Sequence, residues 1–124
     1  MRIFKNTWFA RFAEKEGITD GDLRELVDQL ETGQSGADLG GGVYKMRLAR
    51  PGEGRSGGYR VIVFFKSEER TFFEYCFAKS SRGNISQKEL KSMKETAKEY
   101  LSMTPNELRE RIKQGKFVEL QERV

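Results

Sequence analysis

The chain has 124 residues, 36% of them hydrophobic and 34% charged, with 23 Lys and Arg against 19 Asp and Glu. That is the profile of a folded domain with a charged surface, long enough to bury one core, and not of a disordered chain. Histidine is absent, which removes histidine-based nucleases, Ser-His and Cys-His catalysis and most zinc sites, and Cys76 has no second cysteine to pair with.

The N-terminal stretch MRIFKNTWFARFAEKEG has no apolar core of signal-peptide length, and no run approaches a membrane span. A cytoplasmic protein with no membrane partner is therefore expected. Residues 2–5 read as a first strand. Thr7 is placed to cap a helix that carries Trp8, Phe9, Phe12 and Ala13 as its apolar stripe and stops at Gly17. Thr19 with Asp22 predicts the start of a second helix, whose Leu23, Leu26, Val27 and Leu30 fall at i, i+3, i+4 and i+7 before Gly33. The two form a hairpin whose apolar face must cover a sheet, so its aromatic residues read as core. Residues 34–42, ending in Gly40-Gly41-Gly42, read as a loop.

Two strands follow, Val43–Ala49 and Tyr59–Lys66, joined by a glycine-rich loop. Alternation sends Tyr44, Met46 and Leu48 to one face and Lys45 and Arg47 to the other. The second strand is apolar on both faces, which marks it as central, with Arg60 at its polar entrance. Lys45, Arg47, Arg50, Arg55 and Arg60 face one acid, Glu53, so this hairpin holds an excess of +4, equal to that of the whole chain. A cation cluster confined to one surface is the footprint of a phosphate-bearing partner, against the plainer reading of a solvated sheet face. Gly52-x-Gly54-x-x-Gly57 matches a dinucleotide fingerprint in letters only, because a strand follows it where a helix is required.

Thr71–Lys79 reads as an aromatic partner strand in which Cys76 is an inert, half-buried thiol. Ser86 with Glu89 opens a helix to about Met103, apolar along Leu90, Met93, Ala97 and Leu101, with Lys88, Lys91, Lys94 and Lys98 on its solvated side. Thr104-Pro105-Asn106-Glu107 opens a last helix with Leu108 and Ile112 as its apolar residues, and Lys116–Leu120 reads as a short edge strand.

This order of elements, with a basic sheet face, resembles the RelE/ParE superfamily of bacterial type II toxins, and within it a HigB-like subgroup. The resemblance covers residues 1–120. Its carriers are Trp8-Phe9-Ala10, the run Asp38 to Lys45, Ser56-Gly57-Gly58-Tyr59-Arg60, and Phe77-Ala78-Lys79 followed by Asn84-Ile85. It implies an α+β fold over residues 1–124 as one domain, in which an N-terminal strand and a helical hairpin pack on a small twisted antiparallel sheet, with the 104–124 segment packed on it. It further implies a ribosome-dependent mRNA interferase that enters the decoding site of the 70S ribosome and cuts mRNA through attack of a ribose 2′-OH on the adjacent phosphate. A cognate antitoxin holds such toxins inactive, and no cofactor or metal is expected.

By this resemblance Lys45, Arg47 and Arg60 match the catalytic set and Lys79 the lysine that closes the later strand, while the charge of Arg50, Arg55 and Arg82 makes them, with Lys79, the expected RNA contacts. The family's arginine after the lysine is Ser80 here, with Arg82 the nearest substitute, and its later tyrosine has no counterpart. The chemistry suits these residue types independently. Arginine is a fixed, permanently charged fork for phosphate oxygens, and a lysine among other cations gives up its proton more readily, which makes Lys45 the candidate base. Two rivals stand beside this reading: a non-catalytic toxin that binds a protein target such as DNA gyrase, and a plain nucleic-acid-binding module.

Overall fold

A computed structural model of the chain describes residues 1–34, 36–50 and 58–121. Its elements are β1 (Arg2–Asn6), α1 (Thr7–Glu16), α2 (Asp20–Glu31), β2 (Ala37–Gly40), β3 (Val43–Leu48), β4 (Tyr59–Lys66), β5 (Arg70–Ala78), α3 (Gln87–Ser102), α4 (Pro105–Lys113) and β6 (Phe117–Glu119). Helix starts are set by local chemistry. Reciprocal side-chain and backbone hydrogen bonds form at Thr19 and Asp22, at Ser86 and Glu89, and at Thr104 and Glu107, as the spacing predicts. At α1 the cap is Asn6 and not Thr7. Its side-chain oxygen accepts from the Phe9 N–H at 2.7 Å while its amide nitrogen donates to the Glu74 carbonyl at 2.8 Å. Asn caps at least as well as Thr, and here it also ties the strand–helix corner to β5.

The six strands form one sheet in the order β2-β3-β4-β5-β1-β6. Helices α1 and α2 cover one face, with Phe9, Ala13, Leu23, Leu26, Val27 and Leu30 packed on Met46, Val61, Val63, Phe73 and Cys76. Helices α3 and α4 cover much of the other, with Ala97, Met103 and Leu108 on Val43, Ile62, Phe64 and Phe72. The fold is α+β, and β4 is buried on both faces from Tyr59 to Phe64.

The structure departs from the sequence reading in other places too. The sheet is mixed, because β1 runs parallel to β5 and antiparallel to β6. A parallel pair needs a crossover connection, and here it is everything from α1 to β4. Residues 37–40 are a strand where a loop was expected, paired with β3 through Ala37↔Lys45, Asp38↔Tyr44 and Gly40↔Val43. Its glycine content gives no strand propensity, so the pairing is tertiary in origin. Gly42, in the turn that follows, has φ +83°, and a Cβ there would stand 2.5 Å from the Leu101 Cδ1. Trp8 is 44% exposed and lies against the rings of Phe12 and Tyr75, outside the core that Phe9 and Ala13 enter. Cys76 is buried outright and not by half, and burial pushes its thiol up to about 12, which makes it inert.

The C-terminal segment is built into the domain. Leu108 is 1% exposed, and β6 pairs with β1 beside a two-pronged ion pair from Arg2 to Glu119 at 2.8 and 2.9 Å. Among the described residues no helix is long and apolar enough to cross a membrane. Replacing Leu108 and Ile112 together by alanine is expected to destabilise the fold by at least about 2–5 kcal/mol, the usual cost of truncating one buried leucine. Urea denaturation measures this, and a wild-type midpoint would show that the segment contributes nothing.

Candidate functional site

The register of three strands assembles a basic row. Arg47 on β3 lies directly opposite Arg60 on β4, which in turn lies opposite Phe77 on β5. In the next row of this face Ile62 pairs with both Lys45 and Tyr75. A bulge in β5 makes this possible: Ile62 opposes Tyr75 while Val63 opposes Phe73, so Glu74 is the extra residue. Without it, strict alternation would send Tyr75 and Phe77 to the α1–α2 side.

Helix α3 covers this face over Val43 and Phe64 but leaves the end that holds Lys45, Arg47 and Arg60 open. A cavity of about 670 Å³ here is lined by these three cations together with Gln29 of α2, Gly36, Ala37, Met46 and Gly83, and no carboxylate lines it among the described residues. Arg60 is the unusual member. It was expected at a polar entrance, yet it is only 7% exposed. Among the described residues its guanidinium makes one long hydrogen bond, to the Tyr59 carbonyl at 3.4 Å, and no ion pair. Like charges directly opposite one another on adjacent strands are destabilising, and a buried charge without a counter-ion costs more. Chemically, an arginine pair built this way can receive an anion, since a phosphate would offer the counter-charge that neither guanidinium has among the described residues.

The remaining predicted residues are placed differently. Lys79 is exposed just past β5, where its N–H donates to the Gly58 carbonyl. Arg50 sits with its guanidinium 5.7 Å from the ring of Tyr59, whose side chain belongs to the α1–α2 core. Arg55 and the Gly52–Gly57 motif lie outside the described residues. Arg82 is engaged on all sides. It donates to both oxygens of Glu89 at 2.6 and 3.2 Å, to the Asn84 carbonyl at 3.0 Å and to the Tyr75 hydroxyl at 3.4 Å, and it stands 5.3 Å over the Phe77 ring. Sequence reasoning missed Phe77 as the neighbour of Arg60, and Asn84, whose side-chain oxygen accepts from the Lys45 ammonium at 3.4 Å. Neither carries a local signal; strand register reveals the first and loop geometry the second.

Glu89 ties this corner together. Arg82, together with the Ser86 backbone N–H, holds its carboxyl down at about 2. A carboxylate whose folded value is depressed adds stability that is complete above its ordinary value near 4.5 and is lost as the pH falls toward 2. Glu89→Gln is therefore expected to melt below wild type at neutral pH, and the two to converge between about pH 4.5 and 2. Parallel melting curves across that range would show that the ion pair adds no stability.

The order of elements agrees with one family comparison. Residues 1–120 match the family model described as the RelE toxin of the RelE / RelB toxin-antitoxin system. No curated protein matches the chain. With nearly its whole length matched, the chain belongs to the RelE toxin family, as the toxin half of a toxin–antitoxin system whose partner is an antitoxin.

Proposed function

We propose that this toxin is a HigB-like, ribosome-dependent mRNA interferase of the cytoplasm: a metal-independent endoribonuclease that cuts mRNA in the decoding site of the 70S ribosome. The observation that carries the reading is the buried Arg60, with no acid beside it among the described residues, facing Arg47 across the strand pair in an open cavity. A protein that only docked on a partner's surface would not need a guanidinium sunk below the surface without a counter-ion. A reaction in which negative charge grows on a phosphate does.

In this reading the scissile phosphate enters between Arg47 and Arg60. Its non-bridging oxygens take the hydrogen bonds that these guanidiniums lack, and the interaction strengthens as the phosphorane forms. Lys45, on the same strand face two residues before Arg47, takes the proton of the attacking ribose 2′-OH. The 2′-oxygen bonds to phosphorus as the bond to the 5′-oxygen breaks. Lys79, Arg50 and Arg55 hold the flanking strand through its phosphates, a role that needs charge and not burial. Arg82, already paired with Glu89, adds less charge to that surface than an unpaired arginine. The antitoxin silences the toxin by covering the groove or by pairing with a free sheet edge.

Two substitutions test the assignment in single-turnover cleavage on programmed ribosomes. Lys45→Arg keeps the charge but cannot accept a proton at working pH, so it is expected to bind ribosomes like wild type and to cleave slower by about 10²-fold or more. Full activity would leave Lys45 as a phosphate clamp only. Arg60→Met is expected to abolish cleavage while leaving the free protein as stable as wild type or more so, because it removes a buried charge that has no ion pair among the described residues. A large loss of stability together with intact cleavage would overturn the role of Arg60.

A further inference from the structure

We propose that Asn84 is a positioning residue for Lys45, an inference that rests on the cleavage reading above. Its side-chain oxygen accepts from the Ile85 N–H at 2.9 Å, and that bond fixes which end of the amide is turned toward Lys45. The Lys45 ammonium then meets this oxygen at 3.4 Å. The loop is held in turn from below. Arg82 donates to the Asn84 carbonyl at 3.0 Å, Glu89 grips Arg82 at 2.6 Å, and the Ser86 N–H donates to Glu89 at 2.8 Å. A continuous set of hydrogen bonds thus runs from the first turn of α3 to the Lys45 side chain.

The residue type is what the site requires. Lys45 is faced by Arg47 on its own strand, by Arg60 and Ile62 on β4 and by Ala37 on β2. The two arginines repel its ammonium, and a four-carbon side chain left free would swing away from them into solvent. Asn84 anchors it with a neutral acceptor. A carboxylate at this position would anchor it more strongly, but it would cancel the charge that draws the phosphate and compete with the phosphate for the arginines. The amide positions the lysine and leaves the field of the groove intact.

Two readouts test this. The first is the mobility of the Lys45 ε-methylene by carbon relaxation in the free protein. The second is single-turnover cleavage with ribosome affinity measured alongside. Asn84→Ala is expected to loosen Lys45 and to slow cleavage by about 10- to 100-fold with affinity unchanged. Asn84→Asp, which keeps the bond to Ile85, is expected to tighten Lys45 and to slow cleavage as well. In a Lys45→Met background the alanine substitution should have no further effect. A merely structural role would not give opposite changes in mobility, nor a loss that vanishes when Lys45 is absent. Equal Lys45 mobility in wild type and Asn84→Ala overturns the proposal, and so does a loosened Lys45 with undiminished cleavage. A wild-type protein that fails to cleave on ribosomes overturns the proposed function and the positioning role together, whereas wild-type cleavage with an equally active Asn84→Ala overturns the positioning role alone.

Discussion

Strand β4 is the constraint on which the rest of the structure depends. From Tyr59 to Phe64 every residue of it is buried, so one strand supplies the floor of two cores at once. Val61 and Val63 meet the α1–α2 layer, and Ile62 and Phe64 meet α3 and α4. Both helical layers are laid on this strand, and its register with β3 and β5 decides which side chains become neighbours on the open end. Arg60 sits at the point where the second core stops. It is buried by the same packing that buries the strand, and because Arg47 is its cross-strand partner the packing brings two positive charges together.

That arrangement sets stability against function at a named place. An apolar residue at position 60 would finish the second core. The arginine instead leaves a buried charge facing another, with no acid beside it among the described residues, and such a charge is costly. Under the proposed function this is the familiar setting of a site residue held in place by the surrounding fold. Here the support is visible: a strand with apolar side chains on both faces, paired on both sides, and two helical layers that close around it. The cost is borne by a central strand and not by an edge, where fraying would release it.

The corner beyond β5 shows how one carboxylate can serve several ends. Glu89 completes the capping box of α3, fixes Arg82, and through Arg82 fixes the turn that carries Asn84. The arginine that by sequence position would substitute for the family's missing one is thereby spent on architecture. Its guanidinium lies over Phe77, the residue opposite Arg60, so it also packs on the strand that borders Arg60. A cation expected from sequence to contact RNA can instead be turned inward, and the presence of Glu89 three residues into the next helix is what redirects this one.

The sequence by itself determined whatever depends on near neighbours in the chain. Three capping boxes, the apolar stripes of α2 and α3, the alternation in β3 and the two-faced character of β4 are short-range patterns, and each placed its element correctly. The concentration of charge at Lys45, Arg47 and Arg60 was legible for the same reason, since alternation along one strand and proximity along the hairpin suffice to group them. Only the tertiary structure decided what depends on partners far away in the chain. The parallel pairing of β1 with β5, the strand at Ala37–Gly40 and the bulge at Glu74 arise from contacts between segments that carry no local signature of one another. So do the burial of Arg60, set by layers that pack from both sides, and the meeting of Asn84 with Lys45, which are 39 residues apart. Propensity and period act over a few residues, whereas burial and counter-charge are properties of the assembled fold.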